Sequence, residues 1–167
     1  MSGRLAQSSR KGDRRSMRIA PVTQQDRPIA EALEVHPHQS GYIEPVRECL
    51  EEADQLSDWR PVGIWEGETM VGFAMYGRIR ENGRARVWFD RLLIDRRYQG
   101  RGYARSAMEQ ILALIRDQYS AEDIYLSVYE ENEMAIALYQ NYGFQFNGEL
   151  DTKGEKVMVL EAAQRDA

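Results

Sequence analysis

The chain has 167 residues, of which 43% are apolar and 29% are charged, and its net charge is −5. This length suits one domain of ordinary size, and the composition is that of a globular protein. No stretch approaches the roughly 20 apolar residues of a membrane helix, and no secretory signal is visible, so we expect no membrane partner. The acidic balance argues against nucleic acid as a partner. Cys49 is the single cysteine and cannot form an internal disulfide, which is compatible with a cytoplasmic location.

The first sixteen residues are rich in Ser, Gly, Arg and Lys and contain almost nothing apolar. Burial of apolar surface cannot offset the entropy that such a segment would lose on ordering. We therefore predict a flexible basic tail at residues 1–16, followed by one folded domain at residues 17–167.

Beyond this tail, the spacing of the apolar residues alternates between the period of a strand and that of a helix. In chain order, the pattern predicts a strand at 17–22, helices at 28–35 and 41–55, a hairpin of strands at 61–66 and 69–79, a strand at 86–95, a helix at 103–117, a strand at 124–129, a helix at 132–141, and closing strands at 144–146 and 156–160. This order predicts an α/β fold in which helices cover the faces of a mixed sheet of roughly six to seven strands.

A glycine-containing loop, residues 98–104 (YQGRGYA), joins a predicted strand to a predicted helix. Its two glycines let the backbone approach a ligand closely, and the unpaired N–H groups at the helix start carry partial positive charge. A phosphate or pyrophosphate is the ligand that this arrangement favours, and Arg101 and Arg105 can add charge-assisted contacts. The loop lacks the Gly-Lys-Ser/Thr of a Walker loop, and Arg105 stands where a dinucleotide fingerprint needs its third glycine. The alternative is that the glycines only turn the strand into the helix.

Two motifs in this order resemble those of the Gcn5-related N-acetyltransferases (GNAT). The acetyl-CoA signature of that superfamily, Gln/Arg-x-x-Gly-x-Gly/Ala, is matched by Gln99, Gly102 and Ala104, and its fourth-helix motif by the run from Asn132 to Phe144. The resemblance covers residues 17 to about 161. It implies the GNAT fold with two splayed central parallel strands, and transfer of an acetyl group from acetyl-CoA to a primary amine.

The same resemblance implies the residues that contact acetyl-CoA as co-substrate. They are the end of one strand, the glycine loop with the first turn of its helix, and the cap of a later helix: Leu92, Leu93, Ile94, Gln99, Gly100, Arg101, Gly102, Tyr103, Ala104, Arg105 and Asn132. It also implies that Tyr139 is the general acid for the leaving thiolate, with a merely packed tyrosine as the alternative. We expect no metal, because acetyl transfer from a thioester needs none.

Asp90 is the candidate general base. A primary alkylammonium has a pKa near about 10.4 and must lose a proton before it can attack. Asp90, Leu92 and Ile94 stand at every second position of the strand, so we expect Asp90 to face the same side as the two apolar residues. An ordinary aspartate pKa of about 3.9 would require either a raised pKa or a water relay. The alternative is a structural ion pair with a neighbouring arginine.

Several short stretches, among them 72–77 (GFAMYG) and 144–150 (FQFNGEL), are similar to the bacterial spermine/spermidine N-acetyltransferases. This resemblance implies a polyamine acceptor, whose positive charges call for carboxylates and aromatic faces. We predict acceptor contacts from Tyr42, Glu44 and Asp90. Further candidates are Glu149, Asp151, Trp59 and Tyr76.

Two other functions stay open at this point. One is acetylation of another amine, such as a peptide, a lysine or an aminoglycoside. The other is a non-catalytic sensor that binds acetyl-CoA, against which an intact Tyr139 argues. The resemblance is also compatible with a homodimer.

Overall fold

The computed structural model describes residues 17–120 and 122–162, so the predicted tail at 1–16 lies outside the described residues. The strands are β1 (Met17–Pro21), β2 (Trp59–Glu66), β3 (Thr69–Glu81), β4 (Arg84–Ile94), β5 (Ile124–Val128), β6 (Gln145–Leu150) and β7 (Lys156–Leu160). The helices are α1 (Arg27–Glu31), α2 (Val46–Gln55), α3 (Tyr103–Gln118) and α4 (Glu133–Asn141), with single 3₁₀ turns at Pro37–Gln39 and Arg96–Tyr98. No helix in these two ranges is long and apolar enough to cross a membrane.

The strands form one mixed sheet in the order β1-β2-β3-β4-β5-β7-β6. All neighbouring strands are antiparallel except β4 and β5, which are parallel and connected through α3. The prediction of a mixed α/β sheet is therefore confirmed, and seven strands are present in the described residues.

Each face of the sheet is covered by helices, as predicted. The spacing of three and four residues along α3 places Ala107, Met108, Ile111 and Ile115 on one stripe, and each is fully buried against one face. Helices α1 and α2 cover the other face, where Leu50 and its neighbours pack against β3. Burying an aliphatic side chain of this size stabilises the fold by roughly 1.5–3 kcal/mol relative to leaving it exposed. The sheet is consequently held from both sides, while its central strand ends stay available for a site.

The parallel strands β4 and β5 separate after a short paired stretch. Their register pairs Val87 with Ile124 and Trp88 with Tyr125, although β4 continues to Ile94. Beyond this point the facing backbone groups of the two strands have no ladder partners in each other. The splay that the family resemblance implied is thus present, and it opens a cleft in the middle of the sheet.

A β-bulge at Arg91 interrupts β4 just where the strands separate. Phe73 pairs with Leu93 and Met75 pairs with Asp90, so one residue of β3 opposes two residues of β4. Arg91 has a φ of 60°, a conformation that an L-residue with a side chain adopts only at a cost of about 1–3 kcal/mol. The extra residue reverses the alternation of the strand for everything that follows it.

Two predicted helices are shorter than the apolar pattern indicated. The helix predicted at 41–55 begins only at Val46, because Pro45 pushes the residue before it out of the helical region. Residues 41–45 are therefore a loop. The helix predicted at 28–35 ends at Glu31, and Glu34 instead uses its backbone in tertiary bonds, donating to Asp95 Oδ2 at 3.0 Å and accepting from the N–H of Arg96 at 2.7 Å.

Candidate active site

The splay of β4 and β5 opens into a cleft of about 1060 Å³. One end, here called the glycine-loop end, is lined by the end of β4, by residues 99–105 and by Asn132 at the start of α4. The other end, here called the acidic end, is lined by Glu44, Asp90, Asp151 and Glu155. Tyr139 also lines this cleft.

The predicted acetyl-CoA contacts gather at the glycine-loop end. The residues of that set which line the cleft are Leu92, Leu93, Ile94, Gln99, Gly100, Gly102, Tyr103, Ala104, Arg105 and Asn132. The exception is Arg101, which is exposed and whose guanidinium lies 5.6 Å from the centre of the Tyr98 ring.

The glycine loop leaves backbone donors free at the start of α3. Gly100 and Gly102 have φ values of 80° and 86°, which a residue with a side chain adopts only under strain. Ser106 donates to the carbonyl of Gly102 at 3.2 Å, so the N–H groups of the first turn before it have no acceptor within the helix. Gln99 holds the loop, because its Nε2 donates to the carbonyl of Ile94 at 2.9 Å and to Gln39 Oε1 at 3.0 Å. The loop therefore presents N–H groups and the positive helix end to an anion.

Helix α4 places a buried tyrosine in the cleft. The Asn132 side chain caps this helix by accepting from the N–H of Ala135 at 3.4 Å, as predicted. Tyr139 is 8% exposed and packs edge-on against Phe89 and Phe144. Its hydroxyl makes no hydrogen bond to any described residue. Burial, followed by the charges of Asp90 and Glu155, raises the pKa of Tyr139 well above its usual value of 10. The hydroxyl therefore keeps its proton at neutral pH.

Asp90 lines the cleft from the other face of the strand than predicted. Because of the bulge, Asp90 pairs with Met75 and shares the face of Trp88 and Leu93, which pack with α2, whereas Leu92 and Ile94 pack on the α3 face. The prediction that Asp90 faces the same side as Leu92 and Ile94 is thus wrong. Burial is the main reason that the pKa of Asp90 rises to about 7. The positive charge of Arg91 lowers this pKa, and the negative charges of nearby carboxylates raise it further.

Glu44 lines the acidic end but already has two cationic partners. Arg91 Nε lies 3.2 Å from Glu44 Oε2, and Lys153 Nζ donates to Glu44 Oε1. Burial alone would raise the pKa of Glu44, but the hydrogen bond from Lys153 and the charge of Arg91 outweigh it and hold this pKa below its usual value. Arg91 also binds Glu52 at 2.8 Å. Glu44 is therefore an ionised carboxylate.

The turn between β6 and β7 contributes a carboxyl that the sequence did not single out. Glu155 lies in this turn and lines the cleft, and burial, followed by the charges of Asp151 and Asp90, raises its pKa to about 7. Asp151 Oδ1 accepts the N–H groups of Lys153 and Glu155, both at 2.8 Å, which fixes the turn. No local motif marks Glu155, because only the pairing of β7 with β5 brings it to the cleft.

The remaining predicted acceptor contacts have mixed outcomes. Tyr42 and Trp59 line the cleft. Glu149 also lines it, but both of its oxygens accept from Arg86 Nη1 at 3.0 Å. Tyr76 is buried in the α3-side core, where its hydroxyl accepts from Gln118 Nε2 at 2.9 Å, so its prediction as an aromatic wall is wrong. Within the ranges that the structure describes, no group of three or more His, Cys, Asp and Glu is arranged to hold a metal ion.

This chain is similar in sequence and in fold to known acetyltransferases. Residues 28–144 match the acetyltransferase (GNAT) family. A spermine/spermidine N(1)-acetyltransferase of Bacillus subtilis is 45% identical over 150 residues, which are 87% of this chain and 99% of the relative. The crystal structure of spermidine N-acetyltransferase from Vibrio cholerae in complex with CoA and spermine has a TM-score of 0.72 at 19% identity, and the match covers 92% of this chain and 99% of that one.

A second solved structure has the same fold. It is the ribosomal-protein-S18-alanine N-acetyltransferase from Escherichia coli, with a TM-score of 0.65 at 22% identity over 87% of this chain and 94% of that one. At this identity the two structures establish a shared architecture, while the family match spans more than half of the chain. The chain belongs to the acetyltransferase (GNAT) family and is an acyltransferase.

Proposed function

We propose that this chain transfers an acetyl group from acetyl-CoA to a primary amine of a polyamine such as spermine or spermidine. One observation carries the proposal: Asp90, with a pKa of about 7, and the Tyr139 hydroxyl line one cleft between a phosphate-binding loop and an acidic end. The relative of 45% identity, named for both polyamines, supports the choice of acceptor.

The glycine-loop end has the properties that acetyl-CoA requires. The free N–H groups at the start of α3 suit its pyrophosphate. Gly100 and Gly102 carry no side chains, so the pyrophosphate can approach the backbone of the loop closely. The unpaired edge of β4 beyond Trp88 offers backbone donors and acceptors to the amide groups of an extended pantetheine arm. When bound, acetyl-CoA supplies the thioester carbon that the amine attacks directly, without a covalent enzyme intermediate.

Asp90 takes the proton that the attacking amine must lose. A carboxyl with a pKa of about 7 is mostly ionised at pH 7.5 and is a much stronger base than an ordinary aspartate. The amine nitrogen then forms a bond to the acetyl carbon while the carbon–sulfur bond breaks. The raised pKa meets the requirement that an ordinary aspartate would fail.

Tyr139 donates a hydrogen bond to the departing sulfur. The hydroxyl is protonated at neutral pH, has no partner among the described residues and lines the cleft. Because its pKa exceeds the roughly 8.5 of a thiol, we expect it to stabilise the thiolate as a hydrogen-bond donor as negative charge develops on the sulfur.

The acidic end suits a flexible polycation. Glu44, Asp151 and Glu155 line it together with the ring of Trp59. Carboxylates attract the ammonium groups of the acceptor, and an aromatic face adds a favourable contact. A neutral or anionic acceptor would gain neither of these contacts.

The proposal is tested by measuring thiol release from acetyl-CoA with a panel of acceptors. The panel contains spermine, spermidine, putrescine, lysine, a short peptide and an aminoglycoside. We expect turnover to be concentrated on spermine and spermidine. Turnover of only the peptide or the aminoglycoside would support acetyltransferase activity and contradict the proposal that the acceptor is a polyamine. Silence across the panel, with acetyl-CoA still binding in calorimetry, would favour a non-catalytic sensor.

A further inference from the structure

Two segments that are distant in sequence meet at the acidic end of the cleft. One is the loop before α2, which carries Tyr42 and Glu44, and the other is the turn at 151–155 between β6 and β7. Lys153 Nζ donates to Glu44 Oε1 across the gap. In the described part of the chain no other hydrogen bond or ion pair joins these two segments. A single lysine side chain therefore bridges this end of the cleft.

The two cations on Glu44 are held very differently. The Arg91 side chain is 11% exposed, and Glu52 binds its guanidinium a second time at 2.8 Å. The Lys153 side chain is 50% exposed and extends from a turn on a flexible four-carbon stem. Arg91 is thus a fixed partner of Glu44, whereas Lys153 loses less covered surface than Arg91 would if it moved into solvent.

Lys153 also resembles the acceptor chemically, since it ends in a primary ammonium on an alkyl chain, as a polyamine does. We propose that Lys153 occupies Glu44 in the place of a substrate ammonium, and that a polyamine displaces it when it binds. This inference rests on the proposed function. Lys153 is then a specificity-determining residue that competes with the acceptor.

The ammonium that replaces Lys153 is one that does not react. The attacking nitrogen must be neutral, so an ionised carboxylate gains little by binding it. A second, charged nitrogen farther along the acceptor gains an ion pair with Glu44 in exchange for the one that Lys153 gives up. Only acceptors with at least two amines should therefore compete with Lys153.

The test compares initial rates of the wild type with those of Lys153→Met, Lys153→Arg and Lys156→Met. Lys156 is the matched control, because it is 42% exposed and pairs with Glu130 at 3.2 Å outside the cleft. The acceptors are spermine, spermidine and propylamine, the last as a substrate whose single nitrogen is the one that must react. Melting curves establish that each variant is folded, and Lys153→Gln replaces Lys153→Met if that variant is not.

We expect Lys153→Met to lower the KM for spermine and spermidine by about two- to fivefold, the range that a partly exposed ion pair is worth. Its kcat, and its KM for propylamine as a substrate, should equal those of the wild type. Lys153→Arg should have a KM for both polyamines at or above the wild-type value, and Lys156→Met should match the wild type. In a Glu44→Gln background, Lys153→Met should have no further effect.

The opposite results are equally distinct. An equal fall for propylamine, or the same fall in Lys156→Met, would show a general effect of removing positive charge and overturn the inference. An unchanged KM for polyamines that the wild type acetylates would overturn the inference and leave the proposed function standing. A wild type that acetylates no polyamine would overturn the proposed function and this inference with it.

Discussion

The two ends of the cleft are built in different ways. The glycine-loop end comes mostly from one continuous stretch, residues 92–105, and offers backbone groups. The acidic end offers side chains from distant segments, and its bridging residues Glu44 and Lys153 are 109 positions apart. A backbone site can therefore be encoded locally, whereas the choice of acceptor depends on side chains that only the tertiary structure brings together.

Asp90 is the residue of the acidic end whose loss should matter most. We expect Asp90→Asn to lower kcat/KM at pH 8 by about a hundred- to a thousandfold, because the bound ammonium then has no base. In the wild type, log kcat/KM should rise with pH up to about 7, as Asp90 ionises, and then level off. The measurement is a pH–rate profile of both proteins, with the exposed Asp117→Asn as the control.

A different profile would contradict this role. If the enzyme binds only the neutral amine and uses no base, kcat/KM should rise without a break towards the amine pKa of about 10. The same break near pH 7 in Asp90→Asn would assign it to another group, of which Glu155 is the first candidate.

Tyr139 lines the same cleft, and its loss should rank second. We expect Tyr139→Phe to lower kcat by about a hundredfold, because the ring still packs against Phe89 and Phe144 while the donor is lost. Affinity for acetyl-CoA, measured by calorimetry, should change little. Tyr119→Phe, which removes a hydroxyl outside the cleft, is the matched control and should retain full turnover. Equal losses in both variants would contradict a role in catalysis.

Substitutions at two glycines, one at each end of the cleft, test the two ends separately. Gly100 at the glycine-loop end and Gly154 at the acidic end have φ values of 80° and 83°, and an added Cβ would meet no atom within 4 Å at either. Changing each to Ala should cost a similar stability of about 1–2 kcal/mol through backbone strain. We expect Gly100→Ala to raise the KM for acetyl-CoA several-fold and Gly154→Ala to raise the KM for the amine. Initial rates with each substrate varied in turn measure both constants, and equal effects on both would refute the division.

The smallest expected effect is on stability, with the sign opposite to that on activity. The pKa of Asp90 is about 7 in the folded protein and about 3.9 when unfolded, so stability falls as pH rises from about 4 to 7. Asn cannot ionise. Asp90→Asn should therefore melt a few degrees above the wild type at pH 8, and this difference should shrink towards pH 4. Thermal unfolding across this range measures it, and a variant that melts lower at pH 8 would contradict the raised pKa.

The sequence predicted the glycine-loop end well because its signals are local. Helix α3 has a regular apolar stripe, Gly100 and Gly102 mark the turn before it, and Asn132 caps α4 as expected. The start of α2 was also predictable in principle, since Pro45 is visible in the sequence and excludes a helix before it.

The acidic end was predicted less well because its signals are not local. Glu155 comes to the cleft through strand pairing at the far side of the sheet, and Lys153 reaches Glu44 only in the folded chain. The face of Asp90 was predicted wrongly because the prediction assumed a regular strand, in which side chains alternate between the two faces. No residue type in the sequence indicates the bulge at Arg91. Tyr76 belongs to the core, where its partner Gln118 lies 42 positions away.

The bulge at Arg91 determines which face of the sheet each later residue of β4 occupies. If β4 continued through Arg91 as a regular strand, the residues after it would face the opposite side, and the glycine loop would lie about 3.3 Å farther along the strand. Leu92 and Ile94 would then lie on the side of α2, and the loop would be out of line with Asp90. Deleting Arg91 would instead leave Asp90 opposite Met75 and Leu93 opposite Phe73, with one residue between them on each strand. The extra residue is thus absorbed locally, so a deletion would keep the frame in which the two substrates meet and remove the arginine that binds Glu44 and Glu52.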